Sequence, residues 1–188
     1  SGYERSSQRN SGAKLAKGKY LIFLDADMEL DENVVSETIR LLRGGKRIVS
    51  IPEIGQGKSF WEKVLSLERT CYLEEKDIHA ARGFPKILFL MAGGYDTKMF
   101  AGEDWDLTLR CKKLKARLVS TKSTIKHYER AKSLTELIKK DNYYISNIHL
   151  FAKKHPMQFA KYASFHYRGW LFLKNYKQLI KHPILTSA

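Results

Sequence analysis

The stretch Lys19 to Met28, Lys-Tyr-Leu-Ile-Phe-Leu-Asp-Ala-Asp-Met, constrains the fold more than any other part of the chain. Tyr20 to Leu24 is an unbroken run of apolar, aromatic and branched residues preceded by Gly18, the pattern of a strand buried on both faces of a parallel sheet. The run stops at two acids. Side chains two apart on an extended backbone point the same way, so Asp25 and Asp27 can aim both carboxylates at one point just beyond the strand. Two carboxylates are what Mg²⁺ or Mn²⁺ takes from a protein when a substrate diphosphate supplies further oxygens. The competing reading is local: Asp favours strand ends and turns without any ligand.

A chain of 188 residues that is 43% hydrophobic and 12% aromatic can bury the core of one domain, which sets it apart from disordered chains. Lys and Arg number 34 against 20 Asp and Glu, a formal charge of +14 that favours anionic partners such as nucleotides, nucleic acid or anionic lipid headgroups. The two cysteines, Cys71 and Cys111, lack metal-ligand spacing and read as core-side thiols of a reducing compartment. No apolar run approaches the roughly 18 residues of a membrane span, and the first residues lack the apolar middle of a signal peptide. The expectation is a chain that is soluble or peripheral to a membrane.

In chain order, Ser7 to Lys17 reads as a helix stopped by Gly18. Asp31 reads as the N-cap of a helix with Val35, Ile39 and Leu42 inward and Leu30 stapled onto Val35. Arg47 to Ile51 is a strand closed by Pro52, and Gly55 and Gly57 mark a loop. A helix at Phe60 to Leu73 turns Trp61, Val64, Leu65 and Tyr72 to one face. Ala81 to Lys86 reads as a basic loop carrying Arg82, Ile87 to Met91 as an apolar segment, and Gly93-Gly94 as its break.

Gly102 opens a further helix whose first turn holds Glu103, Asp104 and Asp106, acids that a helix N-terminus also stabilises by itself. Arg117 to Thr121 and Ile125 to Tyr128 are short strands, the second containing His127. Ser133 and Glu136 form a capping box for a helix with the stripe Leu134, Leu137, Ile138, Ile145 and Ile148, ended by Pro156. From Met157 onward aromatics alternate with Lys and Arg, which suits the headgroup layer of a bilayer, a helix packed on the domain, or single-stranded nucleic acid. The chain thus divides into residues 1–132, an α/β domain, and 133–188, a basic, aromatic, helical segment.

Arg9-Asn10-x-Gly12, the Tyr20 to Asp27 strand with its acids, Gly93-Gly94-Tyr95-Asp96, Gly102-Glu103-Asp104-x-Asp106-Leu107-x-x-Arg110 and Ile125-Lys126-His127 follow one another in the order seen in family 2 glycosyltransferases. The chain resembles that family from about Ser7 to Arg130. The resemblance implies a GT-A fold, a Rossmann-like mixed sheet with flanking helices. It further implies a nucleotide-diphosphate sugar donor, Mg²⁺ or Mn²⁺, and inversion at the anomeric centre.

It also assigns roles. Asp27 is the principal metal ligand it implies, with Asp25 on the metal or the ribose and His127 a third ligand. Asp104 is the base for the acceptor hydroxyl, with Glu103 beside it in the substrate site. Arg9 and Asn10 face the nucleotide, Arg82 faces acceptor or diphosphate, and Gly93 and Gly94 let backbone approach the sugar. No Gln-x-x-Arg-Trp follows the acidic helix, so a single transfer to a lipid-linked or glycan acceptor is expected. The basic aromatic segment would then hold the enzyme at the cytoplasmic face of an anionic membrane; nucleic acid is the less favoured partner.

The family's opening strand and base-gripping loop have no counterpart before Ser7. An N-terminally incomplete domain is therefore expected, inactive on its own, with an open edge at the Tyr20 strand that another chain could complete. Two other functions fit the same residues: a nucleotidyltransferase of similar fold, and a non-catalytic lipid- or nucleic-acid-binding module.

Overall fold

The computed structural model describes residues 2–75, 78–131 and 133–187; Lys132, at the expected division, lies outside them, as do Ser1 and Ala188. Among the described residues two sheets form. The first orders β1 (Tyr20–Ile22), β5 (Ala81–Pro85), β3 (Arg47–Ser50) and β6 (Arg117–Ser120); the second orders β2 (Met28–Leu30), β7 (Ile125–Tyr128) and β4 (Glu53–Gln56).

Strand directions follow from the registers. β5 is antiparallel to both β1 and β3, and β6 is parallel to β3, so β1, β3 and β6 run the same way. Each hands the chain directly to the second sheet: β1 to β2 through residues 23–27, β3 to β4 through Ile51 and Pro52, and β6 to β7 through residues 121–124. A seam therefore lies beyond the C-terminal ends of three like-directed strands, where open α/β sheets bind ligands. The two acids of the opening stretch fall in the first of these crossings, and Glu53 begins the strand after the second.

Alternation along the strands divides the core into two layers. Leu21, Ile48 and Phe84 pack with Ala13 of α1 (Gly2–Leu15), Phe89 of α4 (Lys86–Met91) and Leu107 and Cys111 of α5 (Glu103–Lys113). On the other face Val49 meets Val34 and Leu42 of α2 (Val34–Leu42), with Tyr20 and Ile22 packed against them. Helices thus cover both faces, which is why the Tyr20 run shows no polar alternation; a buried side chain such as Leu21 contributes about 1.5–3 kcal/mol by leaving water.

The sequence reading is corrected in several places. β1 is shorter than Tyr20 to Leu24, stands at the end of its sheet, and pairs antiparallel rather than parallel. Its partner β5 is the segment read as a basic loop. A Cβ at Gly83 would lie 2.7 Å from Thr38 Cγ2 and 3.1 Å from Val49 Cβ, so α2 lies against this strand only because the residue is glycine. Glu53 to Gln56, read as loop, pairs parallel with β7. Helix α2 is preceded by Asn33, not Asp31, whose Oδ2 instead accepts from Thr124 N (3.1 Å) and Oγ1 (2.5 Å); Val34, Thr38 and Leu42 are buried and Val35 is exposed.

Helix α3 (Phe60–Cys71) is fixed by a capping box between Ser59 and Glu62, and buries Glu62, Leu67 and Cys71 rather than the predicted face. In the stripe read for α6 (Leu134–Asn147), Leu134, Ile138 and Ile145 are exposed and Leu137 half-buried, and no residue of α6 is buried. Pro156 ends α7 (His149–Lys154) and also opens α8 (Pro156–Ala163). Beyond them α9 (Phe165–Lys174), α10 (Tyr176–Lys181) and α11 (Pro183–Thr186) lie along α3. Arg168 pairs there with Glu68 (2.5 Å) and Lys174 with Glu75 (2.8 Å), while Asn175 Nδ2 donates to Cys71 O (3.0 Å). Cys71 and Cys111 are free and buried, as expected. Among the described residues no helix is long and apolar enough to cross a membrane.

Candidate active site

A cavity of about 510 Å³ opens at the seam, and one of its walls is charged. Arg82, the second residue of β5, donates from Nη1 to Asp25 Oδ2 (3.3 Å) and pairs through Nη2 and Nε with Glu53 Oε1 (2.6 and 2.8 Å). Arg9, on α1, contacts Asp25 Oδ1 and reaches Asp104 Oδ1 at 3.2 Å. Both oxygens of Asp25 thus face guanidinium groups. Burial opposes ionisation of Asp25, but Arg82 and Arg9 outweigh it and hold the carboxyl below its ordinary value.

Glu53 is the residue that sequence reasoning missed. Besides Arg82 it accepts from Arg69 Nη1 (2.8 Å) and meets His127 Nδ1 at 3.0 Å. Burial again raises its pKa, yet His127, Arg82 and Arg69 together drive it well below the usual range. An ionised carboxylate only accepts, so His127 Nδ1 carries the proton on this contact, leaving Nε2 as the acceptor of the neutral ring. That Nε2 faces Asp27 Oδ1 at 3.9 Å, and Arg130 Nε lies 3.7 Å from Asp27 Oδ2. Tyr128 N donates to Asp27 O (2.9 Å), fixing the acid against β7. The fold therefore brings Asp27 and His127 side by side and commits Asp25 to the arginines. Among the described residues no three or more His, Cys, Asp or Glu side chains are arranged as a metal-holding cluster.

The first turn of α5 supplies the rim. Asp104 keeps 34% of its side chain exposed, whereas Glu103 beside it is buried, 3.0 Å from Arg5 and 3.5 Å from Arg9. Burial, reinforced by the charge of Asp104, pushes the Glu103 carboxyl up to about 7 against the pull of both arginines. Asp106 is an anchor: fully buried, it accepts from His155 Nε2 (2.8 Å), Lys154 Nζ (3.1 Å) and Arg110 Nε (2.8 Å). Thr108 Oγ1 donates to Asp104 O and accepts from Ala81 N, both at 2.8 Å, tying this turn to β5.

The buried Glu103 gives a pH signature. Its carboxyl ionises near 4.5 when unfolded and near 7 in the fold, so the native state binds the extra proton between these values and loses stability as pH rises through them. The loss is on the order of 3 kcal/mol, complete above about pH 7. Glu103→Gln is expected to flatten the fall in melting temperature between pH 5 and pH 8, measured by scanning calorimetry.

Asn10, Gly93 and Gly94 stand behind the charged wall. Asn10 grips the backbone of Tyr95, donating from Nδ2 to its O and accepting at Oδ1 from its N, both at 2.8 Å. Gly93 and Gly94 have φ of +83° and +66°, and Arg110 donates to the carbonyls of Ala92 and Gly94. This clamp positions Tyr95, whose ring lies 5.1 Å from the Arg9 guanidinium. Gly94→Ala would force a left-handed side chain to within 2.6 Å of Asn10 Oδ1. A loss of about 1–3 kcal/mol is expected in urea denaturation.

The cavity is also lined by the apolar and aromatic side chains of Tyr72, Ile78, Trp105, Tyr144, Ile145 and Ile148. Two mixed sheets flanked by helices and meeting at such a cleft define a mixed α/β domain of GT-A-like type. Residues 2–94 match the family model described as glycosyl transferase family 2, and the chain carries a family 2 glycosyltransferase domain. The match includes Arg9, Asn10, Asp25, Asp27, Arg82, Gly93 and Gly94, and ends before Glu103, Asp104 and His127. No curated protein matched the chain.

Proposed function

We propose that the protein transfers a single sugar, with inversion, from a nucleotide-diphosphate donor to a lipid-linked or glycan acceptor, at the cytoplasmic surface of a membrane. The observation that carries this reading is the meeting, around one cleft, of Arg9 and Arg82 with the partly exposed carboxylate of Asp104. In this reading Asp104 takes the proton from the acceptor hydroxyl as it attacks the sugar. Arg9 orients Asp104 and Asp25, and Arg82 presents positive charge to the diphosphate from the floor of the cleft.

Asp27 and His127 suit a divalent cation. Their facing atoms are 3.9 Å apart, and these two side chains are the ones that would hold the ion. His127 also donates its other ring N–H to a carboxylate, the usual support of a metal-binding imidazole. Mg²⁺ or Mn²⁺ bound there would offset charge gathering on the departing diphosphate. Asp25, held by two arginines, keeps the opening of the cleft fixed.

Attachment to an anionic bilayer is supported by α9 to α11. Phe165, Trp170, Leu173, Tyr176, Ile180 and Ile184 are all exposed, and lysines alternate with them in the sequence. Co-sedimentation with anionic vesicles but not with zwitterionic ones checks this part. Isotope-labelled transfer by the full-length protein from a panel of nucleotide sugars, with Asp27→Ala and Asp104→Asn as controls, tests the reaction itself. Transfer undiminished by both substitutions would sink it.

A further inference from the structure

A second cavity, of about 830 Å³, shares no lining residue with the active-site cleft. Helix α3 rests directly on β4, where a Cβ at Gly55 would lie 2.5 Å from Ser66 Cα, and it also packs with α10 and α11. The cavity is what these elements leave between them. Phe60 and Lys63 line it from α3, Lys181 from the end of α10, and His182 and Ile184 from the start of α11. No Asp or Glu lines it. Among the described residues the exposed ammonium groups of Lys63 and Lys181 join no carboxylate, whereas Arg168 and Lys174 are paired with Glu68 and Glu75. From Asn142 to Ala188 the sequence contains no Asp or Glu. Phe60 and Ile184 stay 42% and 74% exposed, and Ile180 of α10 stays 69% exposed.

We propose that this cavity takes the phosphate headgroup of an anionic bilayer phospholipid, with Phe60, Ile180 and Ile184 entering the adjoining acyl boundary. The proposal rests on the membrane attachment proposed above and adds to it one defined headgroup site, separate from the donor and acceptor sites. The charge of the occupant follows from the walls: cations without partners beside an acid-free cavity favour an anion. Phosphate suits lysine, whose ammonium gives it short, charge-assisted hydrogen bonds. The exposed apolar side chains decide the rest. A free anion in water makes no use of them, whereas a phospholipid carries its phosphate next to hydrocarbon. Nucleic acid also offers phosphate, but Ile180 and Ile184 present no ring on which a base could stack.

The test is co-sedimentation of the full-length protein with phosphatidylcholine vesicles made anionic by phosphatidylglycerol or, at the same surface potential, by oleate. The unaltered protein is expected to prefer the phosphatidylglycerol vesicles by about fivefold or more, the worth of one lysine at a membrane surface. The double change Lys63→Gln with Lys181→Gln should erase that preference. Lys153→Gln with Lys177→Gln, which removes the same charge at exposed positions outside the cavity, should weaken binding to both vesicles alike and leave the preference standing. No preference in the unaltered protein, or one that survives the first pair of changes, overturns the headgroup site while attachment to anionic membranes persists. Calorimetric titration with dihexanoyl phosphatidylglycerol below its micelle concentration should show binding about tenfold or more tighter than glycerol phosphate, through the added hydrocarbon. Equal affinities would make this a site for free phosphates and overturn the lipid as its occupant. If the unaltered protein sediments with neither anionic vesicle, the membrane reading fails and this proposal with it.

Discussion

Alanine at position 53 is expected to lower the stability of the fold by about 3–5 kcal/mol, the cost of leaving buried charges without their partner. Glu53 has 13% of its side chain exposed and sits among Arg82, Arg69 and His127, which have been brought together on its account. Urea denaturation should show a lower midpoint at an unchanged slope. The sign of the pH dependence is fixed as well. Because the fold depresses this carboxyl, its stabilisation is fully present above about pH 4.5, the unfolded value, and is lost as pH falls toward the folded one. The two proteins should therefore converge in acid. A loss under about 1 kcal/mol at neutral pH would mean that the surrounding cations find water instead.

Asp104→Asn is expected to slow sugar transfer by about 10²- to 10⁴-fold, the usual worth of a general base, through kcat rather than KM. Asparagine still offers Arg9 an acceptor in place of the contact now at 3.2 Å, so stability should change by no more than about 1 kcal/mol. Removing the charge also relieves Glu103, whose carboxyl should then ionise at lower pH. Transfer within a few-fold of the unaltered rate would exclude Asp104 as the base.

Much of this site can be read from the sequence where local pattern and tertiary environment agree. The Tyr20 run, the acidic turn of α5 and the β6 and β7 strands are examples, each with a period or a breaker that the fold respects. The reading fails where a neighbour decides. Ala-Arg-Gly-Phe-Pro has no strand signature; it becomes β5 because β1 and β3 both pair with it and α2 can lie over its glycine. Glu53 looks like any solvated acid after a proline, and only the arrival of Arg69 and Arg82 from distant segments makes it central. The α6 pattern was visible as amphipathic, but periodicity says nothing about what covers an apolar face, and here the protein leaves it open.

The seam between the sheets also has a mechanical side. Three short connectors cross it in the same direction, and one buried cluster joins Val49, Ile22 and Val119 of the first sheet to Ile125, Met28 and Leu30 of the second, so the two sheets resist moving apart. Arg82 belongs to the first sheet and Glu53 to the second, and their paired contacts form a strut across the seam. The spacing between the arginine-bound Asp25 on one side and His127 on the other is then set by the length of that strut, which makes a residue touching neither sugar nor acceptor the gauge of the cleft.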